Sequence, residues 1–142
     1  MLVFMMILID QIIKYYVYIN RPEFNIIPKW LGITYAENTG TVFGFAQGSN
    51  LILMLIAFSI LIVLSFIIIK NKKRNKYSYK QKLLKIILAG GISNLNDRVC
   101  RGFVIDYVSL KFFGVCNLAD FCIVVGITLL VIEEIKDLIK NK

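Results

Sequence analysis

Long apolar stretches separated by polar segments dominate this sequence. Residues 51–69 contain two serines as their only polar members, and an apolar run of this length is typical of a membrane-spanning helix. Between Lys111 and Glu133 the only charged residue is Asp120. The pattern predicts four spans, at about residues 1–19, 50–69, 83–97 and 116–133.

The first and third predicted spans are less apolar than the others. Residues 1–19 are too long, and too charged near Asp10 and Lys14, for a cleavable signal peptide, and no small-residue cleavage site follows. The third span contains several glycine and asparagine residues, which are tolerated in a helix that faces protein or a wet cavity. We therefore interpret both as retained helices.

Basic residues are concentrated in one loop. Residues 70–85 carry eight Lys/Arg and no acid, which predicts a cytoplasmic loop at 70–82 by the positive-inside rule. With four spans both termini are then cytoplasmic, and the segments 20–49 and 98–115 face outward. The net charge of +8 comes mostly from this loop. It indicates a topology signal and lipid-headgroup anchor, not nucleic-acid binding.

The outward segments combine turn residues with aromatic and β-branched residues. Short strands are expected around residues 33–36, 42–45 and 102–108. The predicted fold is an all-α membrane bundle of four transmembrane helices with small extracytoplasmic β-strand and loop elements. Residues 1–142 form a single integral membrane domain.

The composition is typical of a membrane protein, and it excludes several kinds of catalytic and metal site. Of 142 residues, 58% are hydrophobic and 18% charged, and the mean hydropathy is +0.71, outside the range of soluble domains. The absence of histidine excludes Ser-His-Asp and Cys-His catalysis and His-ligated zinc. We expect no metal or other cofactor.

The three cysteines form no Cys-x-x-Cys pair. They are interpreted as small apolar residues. A disulfide between Cys100 and Cys116 would require an oxidising compartment.

Several carboxylates lie within or at the ends of the predicted membrane spans. A carboxylate inside a span costs about 2.5–3.5 kcal/mol on insertion scales, which makes Asp10, Asp97 and Asp120 functional candidates. Asp106 lies on the predicted outer strand. Asp97, Asp106 and Asp120 are all expected at the outer face.

Two of these carboxylates have neighbouring cations. Asp10 and Lys14 are four residues apart and share a helix face, so we interpret them as a structural ion pair. Asp97 is expected to pair with Arg98 near the interface. Asn94, three residues before Asp97, shares its face and can bond neighbouring helices.

Asp106 and Asp120 have no obvious cation close in sequence. Two carboxyls at one low-dielectric site cannot easily both ionise, so one retains a proton. Such a pair supplies a general base and a general acid. The alternative from the residues alone is an ion or proton pathway through the intramembrane carboxylates.

Five sequence blocks, in order, resemble the signal peptidase II (lipoprotein signal peptidase) family. The blocks are Asp10–Lys14, Glu37–Gly44, Gly90–Arg98, Val104–Tyr107 and Asn117–Asp120. The resemblance implies a four-helix aspartic endopeptidase of the bacterial cytoplasmic membrane, acting as a monomer without cofactor. Its substrates would be prolipoproteins that carry a diacylglyceryl group, cleaved just before the lipidated cysteine near the outer membrane surface.

The resemblance assigns the catalytic pair to Asp106 and Asp120. The implied supporting or substrate-binding residues are Asp10, Lys14, Asn38, Gly40, Asn94, Asp97, Arg98 and Asn117. Asn38 and Asn117 are expected to position the substrate backbone, and Arg98 to hold the outer strand or meet a phosphate. Phe43–Phe45 would cover the site or anchor at the interface.

The sequence departs from the family pattern in four ways, one of which is Asn96 at a position where an apolar residue is common. Thr41-Val42 replaces the usual pair of alanines, and Tyr107 the usual phenylalanine. The connection from Asp106 to Asp120 is short.

The charge pattern predicts a topology that cysteine labelling can test. In intact cells, and with the native cysteines replaced, a membrane-impermeant thiol reagent should label a single cysteine at Glu37. The same reagent should miss a single cysteine at Ser78. The reverse labelling would overturn the orientation.

Overall fold

Four helices and one antiparallel sheet make up the computed structural model, which describes residues 1–40, 50–72 and 79–140. The helices are α1 (Leu2–Asn20), α2 (Asn50–Lys72), α3 (Tyr79–Arg101) and α4 (Leu118–Lys140). The strands are β1 (Phe24–Ile27), β2 (Leu31–Asn38), β3 (Val104–Leu110) and β4 (Gly114–Cys116), in the order β1-β2-β3-β4. The prediction of four helices with a small strand element is confirmed. The strand expected at 42–45, the aromatic segment 43–45 and most of the basic loop lie outside the described residues.

Two of the helices are long and apolar enough to cross a membrane: Leu2–Asn20 and the Asn50–Lys70 part of α2. Helices α3 and α4 do not meet the same criterion within the described residues, because α3 is rich in polar residues and α4 carries several acids. That α3 and α4 also cross the membrane therefore stays a prediction.

Helices α3 and α4 extend beyond the apolar runs that predicted them. α3 begins four residues earlier than expected, and α4 continues seven residues further, to Lys140. Lys80 near the start of α3 pairs with Glu134 at 2.8 Å and with Asp137 at 2.7 Å on α4. Charged ends that face each other allow both helices to continue where the apolar pattern stops.

The distribution of polarity is inverted relative to a soluble domain. Asp10, Lys14 and Asp97 are at most 1% exposed, whereas large apolar side chains such as Phe66 on α2 are more than half exposed. An apolar exterior around a polar interior fits a lipid environment. Within the described residues, no buried side-chain nitrogen or oxygen lacks a hydrogen-bond partner.

Helices α3 and α4 approach closely at Gly90. A Cβ atom at this position would collide with the carbonyl oxygen of Ala119 and lie 2.9 Å from Ile123. Glycine therefore allows the polar segment of α3 to lie directly against the first turn of α4. This contact places Asn94 beside the start of α4.

The sheet connects the helices on one side of the bundle. Helix α3 ends at Arg101, and Gly102, whose φ of 86° is favourable for glycine, turns the chain into β3. In the β2–β3 pairing, Ala36 lies opposite Asp106 and Asn38 opposite Val104. A short turn then leads through β4 to Asn117, which immediately precedes α4.

Candidate active site

Asp106 on β3 and Asp120 in the first turn of α4 are bonded to one common residue, Asn117. The Asn117 side-chain Nδ2 donates to Asp106 Oδ1 at 2.6 Å. The Asn117 backbone N–H donates to Asp120 Oδ2 at 3.2 Å. The two carboxylates thus reach the same site from two different elements.

Asn117 and Asp120 cap α4 reciprocally. While Asp120 accepts from the Asn117 backbone, the Asp120 N–H donates to Asn117 Oδ1 at 2.9 Å. This is the geometry of a capping box, in which the N-cap and N3 residues satisfy each other. An Asn-x-x-Asp pattern before an apolar run is the sequence signal for it. Asn117 is fully buried and its amide is used within the protein. It therefore orients both aspartates, and its expected contact with the substrate backbone stays a prediction.

Asn38 holds the second oxygen of Asp106. Its Nδ2 donates to Asp106 Oδ2 at 2.9 Å, and its Oδ1 accepts from the Gly40 N–H at 3.0 Å. Asp106 therefore receives one amide hydrogen bond on each carboxylate oxygen. These donors fix the plane of the carboxylate.

Arg98 connects the residues on either side of segment 41–49. Its Nη2 donates to the Gly40 carbonyl at 2.8 Å, and its Nη1 donates to Asn50 Oδ1 at 3.3 Å. The expected Asp97–Arg98 pair is wrong: Asp97 pairs with Lys14 and Arg101 instead. Consecutive helical residues point about 100° apart, so they face different neighbours. Of the two roles left open for Arg98, the contact with Gly40 supports holding the outer segment.

Lys14 lies at the centre of a buried ion cluster. Its ammonium nitrogen is 2.8 Å from Asp10 Oδ2 and 2.9 Å from Asp97 Oδ2, and it donates to Asn94 Oδ1 at 2.8 Å. Three donors thus meet three acceptors. Asn94 in turn donates to Asp120 Oδ1 at 2.7 Å. Hydrogen bonds and ion pairs therefore join all ten residues that the sequence singled out.

Besides Arg101, three further residues whose side chains bond directly to Asp10 or Asp97 were not identified as site residues from the sequence. Ser93 Oγ donates to Asp10 Oδ2 at 2.6 Å, and Gln11 Nε2 donates to Asp97 Oδ1 at 3.0 Å. The Tyr107 hydroxyl lies 3.4 Å from Asp10 Oδ1. Each is adjacent in sequence to a charged or amide residue of the site, and this adjacency was the available signal.

Asp106 has the perturbed acidity expected of one member of a carboxyl pair. Burial, and then the neighbouring charge of Asp120, raise the pKa of Asp106 to about 6, whereas the amides of Asn38 and Asn117 act in the opposite direction. Asp106 is therefore poised to exchange a proton near neutral pH.

An apolar cavity of about 300 Å³ opens beside Asp120. Its lining is Asn38, Leu110, Phe113, Val115, Cys116, Asp120, Phe121 and Val124. The volume lies at the lower end of the range for ligand pockets. Its walls are apolar except at Asn38 and Asp120, which suits a largely apolar ligand with one reactive polar group.

The cysteines and carboxylates of the described residues form no metal centre. No group of three or more His, Cys, Asp or Glu could hold a metal ion there. Cys100, Cys116 and Cys122 are free thiols. Burial raises the pKa of the Cys116 thiol to about 11, so this thiol in the cavity wall is uncharged at neutral pH.

Residues 2–136 match the family model described as signal peptidase (SPase) II. The chain belongs to the signal peptidase II family. A lipoprotein signal peptidase of Staphylococcus aureus strain MRSA252 is 30% identical over 143 residues, which cover 96% of this chain and 86% of the relative. That of strain JH9 is 29% identical over the same extent. The ion-translocation alternative has no support from these relatives.

Two solved structures share the fold. A bacterial membrane enzyme at 2.3 Å resolution is 28% identical with a TM-score of 0.88, covering 99% of this chain and 88% of its own. Another, at 1.9 Å, is 30% identical with a TM-score of 0.81, covering 95% of this chain and 90% of its own. The likeness extends over helices and sheet together.

Replacing Lys14 by methionine should destabilise the protein strongly. The change leaves Asp10 without its ion-pair partner in a buried site, and breaking a buried pair in this way costs about 3–5 kcal/mol. Thermal unfolding in detergent measures the effect. Lys80→Met, which removes the two ion pairs with Glu134 and Asp137 at the protein surface, is the control and should change the unfolding temperature little. A Lys14→Met protein that unfolds like the parent but has lost turnover would show that the cluster is catalytic and not structural.

Proposed function

We propose that this signal peptidase II family member is an aspartic endopeptidase of the bacterial cytoplasmic membrane. It removes signal peptides from prolipoproteins, and the proposed bond is the one just before the diacylglyceryl-modified cysteine. The observation that carries the aspartic mechanism is the joint attachment of Asp106 and Asp120 to Asn117.

In the proposed reaction the two aspartates share one proton. The ionised carboxylate takes a proton from a water molecule held between them, and this water attacks the scissile carbonyl. The protonated partner donates a hydrogen bond to the developing oxyanion. The proton taken from water then passes to the leaving amine as the carbon–nitrogen bond breaks.

The charges of the surrounding network favour a single negative charge on the pair. Asp10 and Asp97 balance Lys14 and Arg101 within the ion cluster. Arg98 is then the remaining nearby cation in the described part of the chain, and it interacts with both Asp106 and Asp120. One positive charge beside two carboxylates is neutralised when the carboxylates hold one proton between them.

The apolar cavity supports a lipid-linked substrate. Its walls are formed by side chains of the sheet and of α4, and the adjoining face of α4 is apolar and exposed at Val124. We propose that the cavity takes apolar groups next to the scissile bond and that the acyl chains lie along the helices in the bilayer. Burial of acyl chains contributes about 0.8 kcal/mol per methylene, so the lipid is the main source of affinity.

We also propose an orientation in the membrane and a monomeric state for this enzyme. Both termini lie in the cytoplasm, and the sheet with the two aspartates lies at the extracytoplasmic surface. In the proposed reaction Asp106 and Asp120 supply the base and the acid and Asn38 and Asn117 position them, so the chemistry requires neither a second subunit nor a cofactor.

Asp106→Asn and Asp120→Asn should each abolish cleavage of a lipidated precursor while the protein stays folded. An amide keeps the shape of the carboxyl group but cannot act as a base. Because the two groups act as a unit, the double variant should be no worse than either single variant. A gel-shift assay with purified protein measures cleavage.

Asp137→Asn is the matched control for these variants. It makes the same chemical change on α4, at an exposed residue paired with Lys80, and should leave cleavage unchanged. Substantial turnover by either Asp106→Asn or Asp120→Asn would refute the assignment of the pair.

A precursor peptide bearing diacylglyceryl-cysteine should be cleaved far faster than the same peptide without lipid. The lipid confines the cysteine to the depth of the aspartates, and positioning of this kind is worth up to about 7–11 kcal/mol of barrier in well-oriented cases. Turnover of the matched peptides in detergent micelles makes the comparison. Equal rates would show that the lipid does not position the substrate, even if the assignment of the aspartate pair proved correct.

A further inference from the structure

Acceptors from β3, from α1 and from the residue directly before α4 satisfy the N–H groups of the first turn of α4. The first N–H groups of a helix have no partner within the helix. Here the Leu118 N–H donates to the Tyr107 hydroxyl at 3.1 Å, and the Ala119 N–H donates to Asp10 Oδ1 at 3.2 Å. The third group, the N–H of Asp120, donates to Asn117 Oδ1.

We propose that the Tyr107 hydroxyl is a positioning group that sets the start of α4, and with it Asp120, relative to Asp106. This inference rests on the proposed function, in which the two aspartates act as a pair. In this role Tyr107 affects the rate of the reaction without contacting the substrate.

Tyr107 forms a short structural connection between the two aspartates. It follows Asp106 directly on β3, and its hydrogen-bond donor, Leu118, lies two residues before Asp120. The route through the tyrosine ring is independent of the route through Asn117. Two separate connections therefore fix the distance between the strand and the helix.

Packing holds the ring of Tyr107 in place, so its hydroxyl can position the start of α4. Its side chain is 6% exposed and belongs to the buried cluster with Val17 and Ile105. The hydroxyl also lies 3.4 Å from Asp10 Oδ1, which accepts the next N–H of the helix. A ring fixed by packing thus presents one oxygen to a helix end that would otherwise keep an unpaired N–H.

Tyr107→Phe tests the hydroxyl while the ring remains. Phenylalanine keeps the ring that packs in the buried cluster, so we expect the variant to fold. With the Leu118 N–H freed, the start of α4 shifts and kcat for the lipidated precursor should fall about tenfold, with KM unchanged within about twofold. Thermal unfolding, measured in parallel, corrects for any loss of folded protein.

Tyr35→Phe is the matched control. The Tyr35 hydroxyl also donates a hydrogen bond, at 2.6 Å to Glu37 Oε1, but this bond joins two residues of β2. This variant should keep the kcat and KM of the parent protein.

Leu118→Pro removes the donor of the same hydrogen bond from the other side. Proline is well tolerated at the first helical position and has no N–H. If the bond carries the effect, adding Tyr107→Phe to Leu118→Pro should lower kcat no further. The proposal is overturned if Tyr107→Phe changes only the unfolding temperature, if it raises KM and leaves kcat intact, or if the two changes multiply.

Asp120→Asn separates this inference from the proposed function. If Asp120→Asn still cleaves the precursor, the aspartate pair itself is wrong. If Asp120→Asn is inactive and Tyr107→Phe has the parental kcat, the pair stands and only the role of Tyr107 is refuted.

Discussion

A fully buried lysine ammonium must have acceptors for all three of its protons, and the interior of this protein is arranged around that requirement. Lys14 on α1 finds them in Asp10, Asp97 and Asn94, which brings α1 and α3 together. In a low-dielectric interior the charge is tolerated only because every partner is present. Each partner also has a second bond, and these bonds lead outward from Lys14 to the candidate catalytic residues.

The second bonds connect the ion cluster to both aspartates. Asn94 donates to Asp120, and Asp10 accepts an N–H from the first turn of α4. Asp97 Oδ2 accepts the Ile105 N–H at 3.3 Å, next to Asp106 on β3. Strand and helix are thus attached to the same buried charges. An apolar core has no directional bonds and would not fix two carboxylates in this way.

The sequence predicted this site better than it predicted the ends of the elements. Runs of apolar residues marked the four helices, and carboxylates within such runs marked Asp10, Asp97 and Asp120, because a charge at these positions needs a reason. The extension of α3 and α4 was missed because it depends on pairing between Lys80 and residues of the other helix. A pairing between residues so distant in sequence leaves no local pattern.

Roles were harder to predict than positions. The side chain of Asn117 looked available for substrate, but three-dimensional proximity directs it to Asp106. Asp97 and Arg98 looked like a pair because they are adjacent, yet they face different neighbours on the helix. Strands β1 and β4 are short, and hydrogen bonds to their neighbours define them more than their own residues do.

We propose that the buried network holds Asp106 and Asp120 as a coupled pair that retains one proton. The dependence of kcat/KM on pH for a lipidated precursor tests it most directly, because this ratio reports the ionisations of the free enzyme. Since the pKa of Asp106 is raised to about 6, activity should decline as pH rises through about 6 and the pair loses its shared proton. At lower pH it should decline again as the pair becomes doubly protonated, so that the profile is bell-shaped. A rate that stays constant from about pH 5 to 8 would show that no essential group gains or loses a proton in this range, and it would contradict a pair that gives up its shared proton near pH 6.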